Sequence, residues 1–158
     1  MIFGRMRLRY HNTRKFILLP VLFCLLVLTT AASAGEISVE AQLLWGTNDK
    51  KSPNPKHKPV AEETRKKLKE LPLKWSNYFE ETRKEFKVAE GAATRVSLSE
   101  RCDIEVKNLG NNKVEVNTFG KGEKVVKQTQ SLPKDETLLL GGNAPNETAW
   151  LIILKRKE

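Results

Sequence analysis

Histidine moves protons near neutral pH and the cysteine thiolate is a strong nucleophile, so these residues are the first places to look for chemistry. The chain has two of each, His11, His57, Cys24 and Cys102, and only His57 and Cys102 lie beyond residue 34. His57 sits between Lys56 and Lys58 in a proline-rich tract with no evident partner. Cys102 alternates in phase with Ile104 and Val106, a pattern that turns it toward a core, where a structural thiol is inert. A base–nucleophile pair of His57 and Cys102 is therefore not expected. One histidine, one cysteine and scattered acids give no ligand spacing of the zinc or calcium kind, so neither metal nor other cofactor is implied. Carboxylates pair at Glu62 and Glu63, Glu80 and Glu81, and Asp135 and Glu136, but nothing apolar surrounds them to raise a pKa, and they read as solvated charge. Gly141-Gly142 lacks the further glycine, lysine and helix of a phosphate loop and reads as part of a turn. The expectation is a protein that is not an enzyme.

Charge gives the one signal of a partner. The chain carries 28 basic and 19 acidic residues, a net +9. Five of the basic residues, and none of the acidic ones, fall within residues 1–34, leaving 23 against 19, or +4, for the remainder. Residues 50–87 hold twelve basic and six acidic residues, whereas residues 88–158 hold eleven and ten. A basic arm and helix carrying Lys56, Lys58, Arg65, Lys66, Lys67 and Lys69 would attract an anionic glycan, a lipid headgroup or an acidic protein. The bland reading of the same face is solubility. Nucleic acid fits poorly, because these cations lack interleaved stacking aromatics.

The elements that must position such residues begin after an atypical start. Arg5, Arg7, Arg9, Arg14 and Lys15 precede an apolar stretch from Phe16 to Ala32, and Ala32-Ser33-Ala34 supplies the small residues of a peptidase site. Residues 1–34 read as a secretory signal peptide, cleaved before Gly35, and the membrane is involved only through it. The apolar stretch of about 17 residues touches the lower limit for a spanning helix, so a retained anchor is the competing reading. Phe23 before Cys24 argues against lipid attachment there, and Cys102 alone cannot form an internal disulfide.

The rest suits one domain, with residues 35–58 as a first strand and a proline- and lysine-rich arm, and residues 59–158 as a helix and β-rich remainder. Ile37, Val39, Ala41, Leu43 and Trp45 alternate with Ser38, Glu40 and Gln42, which predicts a half-buried strand. Pro59 is placed to open a helix whose thin stripe is Val60, Thr64, Leu68 and Leu71, stopped by Pro72. Leu73 to Phe79 reads as an irregular segment that lays Trp75, Tyr78 and Phe79 against the core. Short strands then follow about every ten residues. The clearest hairpin joins Cys102–Lys107 to Lys113–Asn117 across Asn108–Asn112, and Phe119 falls out of phase, which predicts a bulge or a strand end near Gly120. Ala149 to Leu154 is an unbroken apolar run, so both faces of that strand need cover, and Leu138–Leu140 should pair with it across the loop 141–146. Asn146-Glu147-Thr148 fits the N-glycosylation pattern, which matters only in a eukaryotic secretory route. The fold expected is mainly β: an antiparallel β-sandwich or barrel-like domain of seven to eight strands with one short helix.

The wording Cys102-Asp103-Ile104-Glu105-Val106, Gly141-Gly142-Asn143-Ala144-Pro145-Asn146 and Thr148-Ala149-Trp150-Leu151, with the tract Leu44 to Asp49, resembles a group of small exported bacterial proteins of unassigned function. The resemblance implies a bacterial envelope location, periplasmic, cell-surface or extracellular, and carries no catalytic residue. The function expected is a non-catalytic binding or scaffolding module of the envelope, acting on an envelope protein through Gly142, Asn143, Pro145 and Asn146 or through the basic arm. The alternatives are a binder of anionic glycan or lipid through the arm and helix, and an enzyme of unrecognised type. If the apolar run is the core of the domain, Trp150→Ala should cost about 3 to 5 kcal/mol in a denaturant melt, as large core truncations do.

Overall fold

The computed structural model describes residues 35–158. The signal segment expected over residues 1–34 lies outside the described residues. Nine strands and one helix follow in the order β1 (Ile37–Thr47), β2 (Lys58–Pro59), α1 (Glu62–Lys69), β3 (Asn77–Val88), β4 (Ala93–Ser99), β5 (Cys102–Gly110), β6 (Lys113–Gly120), β7 (Glu123–Ser131), β8 (Thr137–Ala144) and β9 (Thr148–Arg156). They form two sheets with strand orders β2-β3-β1-β9-β8 and β4-β5-β6-β7, and neighbouring strands are antiparallel. The architecture is a β-sandwich and not a closed barrel. No helix among the described residues is long and apolar enough to cross a membrane.

The apolar run in β9 is buried on both faces, and so is β1 beside it. Val39, Ala41 and Leu43 of β1 and Ile152 and Leu154 of β9 face Ile104, Val106, Val114 and Val116 of the second sheet. The opposite face carries Leu44, Leu151 and Ile153, and these meet Val60, Leu68 and Tyr78 in a second apolar cluster beneath α1. A strand covered on both sides has no need of alternation, which explains the continuous apolar run.

Double cover also corrects the half-buried reading of β1. Glu40 and Gln42 alternate as a wet face should, yet they are only 4% and 6% exposed. They lie in a shallow pocket walled by Ala61, Thr64 and Leu68 of the helical segment. A buried carboxylate must be paired, and Glu40 accepts from Gln42 Nε2 at 2.8 Å and meets Lys157 Nζ at 3.0 Å and Arg83 Nη1 at 3.5 Å.

Three expected boundaries shift for identifiable reasons. Pro59 does not open α1: it pairs with Phe79 at the sheet edge, where a missing N–H costs nothing, and Ala61 becomes the residue before the helix. Part of the aromatic segment read as irregular enters β3, because pairing with β1 from Thr47↔Asn77 onward overrides its polar sequence. With β2 counted, the strands number nine where seven to eight were expected. Gly141, Gly142 and Asn143 belong to β8, paired with Leu151, Trp150 and Ala149, so the turn shrinks to the residues around Pro145-Asn146-Glu147. The register shift between Thr118 and Phe119 is the bulge expected near Phe119.

Where the chain crosses between sheets, buried Asn108 fastens three segments. Its Nδ2 donates to the carbonyls of Gly35 and of Val88, the latter at 3.2 Å, and its Oδ1 accepts from Gly110 N at 3.0 Å.

The Glu40 network yields a pH prediction. Burial raises its carboxyl pKa, but the hydrogen bonds from Gln42 and Lys157 and the charges of Arg83 and Lys157 outweigh that, so the net shift is downward from 4.5. Stability from a lowered carboxyl is present above the unfolded pKa and is lost as pH falls through the folded one. Denaturant melts below pH 4.5 should therefore show a loss of stability, and Glu40→Gln should flatten that acid limb while lowering the plateau at pH 7.

Candidate functional site

At the end of the sandwich where β1 stops and β9 starts, the two sheets enclose a cleft of about 720 Å³. Trp45 and Trp150 lie directly opposite each other in the β1–β9 register. Trp45 continues the inward phase of Ala41 and Leu43, and Trp150 that of Ile152 and Leu154, so both indoles line the cleft from one sheet. Cys102, Thr118 and Val125 face them from β5, β6 and β7. The rim is polar, with Asn143 and Asn146 on the β8–β9 hairpin, His57 on the arm, and Glu81, Arg101 and Lys121 around the mouth.

Two irregularities of the sheets aim side chains into this space. The β1–β3 register shifts between Leu43 and Leu44, leaving Glu81 without a partner, and the β6–β7 register shifts between Thr118 and Phe119, leaving Val125 unpaired. Both unpaired residues line the cleft, in keeping with the habit of bulges to re-aim side chains beside sites. Val125 is 56% exposed and puts an apolar side chain at the mouth of the cleft. Gly142 serves the same space differently. A Cβ there would stand 2.9 Å from Cζ2 of Trp150 and 3.1 Å from its Nε1, so only glycine lets the indole lie against β8.

The polar atoms of the cleft are unevenly satisfied. Trp45 Nε1 and Thr118 Oγ1 are buried and have no hydrogen-bond partner among the described residues. Leaving a buried donor unpaired costs about 1–3 kcal/mol. His57 Nδ1 is 2.8 Å from Ser52 Oγ. Cys102, packed at the edge of the core, has its thiol pushed up to about 11 by burial, then by the charges of Asp103 and Glu81. The fold thus brings His57 and Cys102 onto the walls of one cleft, but near neutral pH the sulfur keeps its proton and is a poor nucleophile.

The residues expected to bind a partner divide into separate groups. Asn143, Pro145 and Asn146 line the cleft, and Gly142 shapes it from within β8. Lys56 lies in an adjoining depression of about 400 Å³ that shares His57, Glu81, Ser99 and Arg101 with the cleft. Lys58 is on the edge strand β2. Arg65, Lys66, Lys67 and Lys69 are on α1, over the outer face of the five-stranded sheet, and two of them meet acids of their own helix: Arg65 pairs with Glu62, and Lys67 with Glu63 at 3.3 Å. Sequence reasoning missed Trp45, Thr118, Val125, Glu81, Arg101 and Lys121 as cleft residues. The phase break at Phe119 was the one local signal pointing toward them.

The fold and site define a two-sheet antiparallel sandwich with a ligand-sized, tryptophan-lined cleft at one end. No protein-family model, curated protein or solved structure matches the chain. Among the described residues, no group of three or more histidine, cysteine or acidic side chains is placed to hold a metal ion.

The raised thiol pKa has a direct readout. Alkylation of Cys102 by iodoacetamide in the native protein should be slow at pH 7 to 8 and accelerate as pH climbs toward about 11, whereas the urea-unfolded protein should react readily near pH 9.

Proposed function

We propose that this protein is a non-catalytic binding module of a bacterial envelope, exported by its leading segment, and that its ligand occupies the cleft between Trp45 and Trp150. One observation carries the reading: two indoles in register, an exposed apolar Val125 and two unpartnered buried polar atoms converge on a single cavity. Ligand sites are commonly concave, largely apolar spaces of about 300–1,000 Å³ with a few placed polar groups, and the cleft fits that description in size and lining. The protonated thiol of Cys102 favours holding over turnover. Exposed Lys58, Lys66 and Lys69 take part in no ion pair among the described residues, and they would add a salt-dependent attraction to an anionic glycan, lipid headgroup or envelope protein.

The cleft can be tested without knowing its ligand. The amphiphilic dye 8-anilino-1-naphthalenesulfonate should bind saturably at one site and quench tryptophan emission by energy transfer. Val125→Glu, which places charge at an already exposed position in the mouth, should weaken the dye by about tenfold or more with little change in thermal stability. Dye binding that never saturates, or that ignores this substitution, would overturn the reading.

A further inference from the structure

We infer that the cleft takes the pyranose rings of an oligosaccharide. The inference rests on the cleft being a ligand site and adds the chemistry of what fills it. A pyranose ring has two unlike surfaces: faces of C–H bonds that stack on flat aromatic rings, and an edge of oxygens that both donate and accept hydrogen bonds. The cleft is built with the same division. Trp45 and Trp150 stand directly across from each other on β1 and β9, a spacing that sets two indoles side by side as one aromatic wall. Around that wall, Arg101 and Lys121 donate, Glu81 accepts, and Asn143 and Asn146 do both.

The unpartnered atoms discriminate among ligand classes. Trp45 Nε1 only donates, and Thr118 Oγ1, on a residue 2% exposed, donates and accepts. Sugar hydroxyls satisfy both, whereas an acyl chain has no atom to offer either. A peptide added as a strand would pair at the free edges of β7 and β8, away from the two unpartnered atoms, which sit on the inner strands β1 and β6. The rim carries both signs, with Glu81 among Arg101 and Lys121, which suits a ligand that donates as well as accepts hydrogen bonds. The adjoining depression shares His57, Glu81, Ser99 and Arg101 with the cleft, so the groove continues past the indoles and suits a chain of rings better than a single sugar.

The test is a titration of the purified protein, read by tryptophan emission and by displacement of 8-anilino-1-naphthalenesulfonate, with two sets of oligosaccharides: neutral glucose and N-acetylglucosamine oligomers, and oligomers containing uronic acid. A saturable change with at least one set is expected, and longer oligomers should bind more tightly than the monosaccharide. Binding by the uronate set alone, lost in Arg101→Gln, assigns an acidic saccharide; binding by the neutral set assigns a neutral one, and both support the inference. Thr118→Val removes the hydroxyl and keeps the shape. It should weaken the saccharide by about tenfold, the worth of one hydrogen bond, while the melting temperature holds or rises because an unpaired buried hydroxyl has been replaced by a methyl group. If the dye binds in the Val125-dependent way and no saccharide displaces it, the saccharide assignment is overturned and the ligand-site reading stands. If neither dye nor saccharide binds, both fall.

Discussion

Two strands, β1 and β9, lie side by side with apolar residues on both faces, and the molecule is arranged to keep water off all of them. Fully burying one aliphatic side chain is worth about 1.5–3 kcal/mol, so a strand that is greasy on two sides needs two covers. The four-stranded sheet supplies one. The short helix, the segments flanking it and Tyr78 supply the other. The same demand accounts for the least expected polar feature: on the covered outer face the Glu40 carboxylate is satisfied by Gln42 Nε2, Arg83 and Lys157, while Gln42 Oε1 is left without a partner among the described residues.

The cleft is the place where that cover runs out. Toward the start of β9 the inward-facing positions pass from Leu154 and Ile152 to Trp150, and the wall opposite passes from Val114 and Val116 to Thr118 and Gly120. The trend is from closed aliphatic packing to flat rings facing small or polar residues, with a bulge on either side. The unpaired hydrogen-bonding atoms lower the stability of the empty protein. Such costs are commonly retained where activity needs them, and that links the energetics of this fold to the binding role proposed for it.

Much of the architecture could be read along the chain because it depends on neighbours in sequence. The alternation from Cys102 to Asn117 and the phase break at Phe119 are local and the structure reproduces both, while the turn expected over Asn108–Asn112 shrinks to Asn111-Asn112 because β5 runs on to Gly110. The buried run at Ala149–Leu154 was also legible, since nothing else accounts for six successive apolar residues. What escaped was set by distant partners. Glu40 and Gln42 carry no mark of the helix that covers them. Asn77–Val88 is too charged to read as a long strand until β1 lies beside it. The glycines of β8 resembled a turn because their reason for being glycine, the ring of Trp150, belongs to the next strand. The pairing of Trp45 with Trp150 depends on a register between the two ends of the domain, which no window of sequence contains. Trp150 illustrates the gap well: it was expected at the heart of the core, but it is half-buried at the core's edge, which moves the expected cost of Trp150→Ala to the lower part of its range.

The hydrogen that stands in for a side chain at Gly142 has one more consequence. It sets the aperture of the cleft from behind the ring, at a point on the β8 backbone away from whatever the indole touches. A single methyl group there would overlap the indole and force the tryptophan to move, reshaping the site while both sheets remain folded. Drift at that codon would therefore act as a control over occupancy, so that two chains alike in every cleft-facing side chain could differ in whether they hold anything at all.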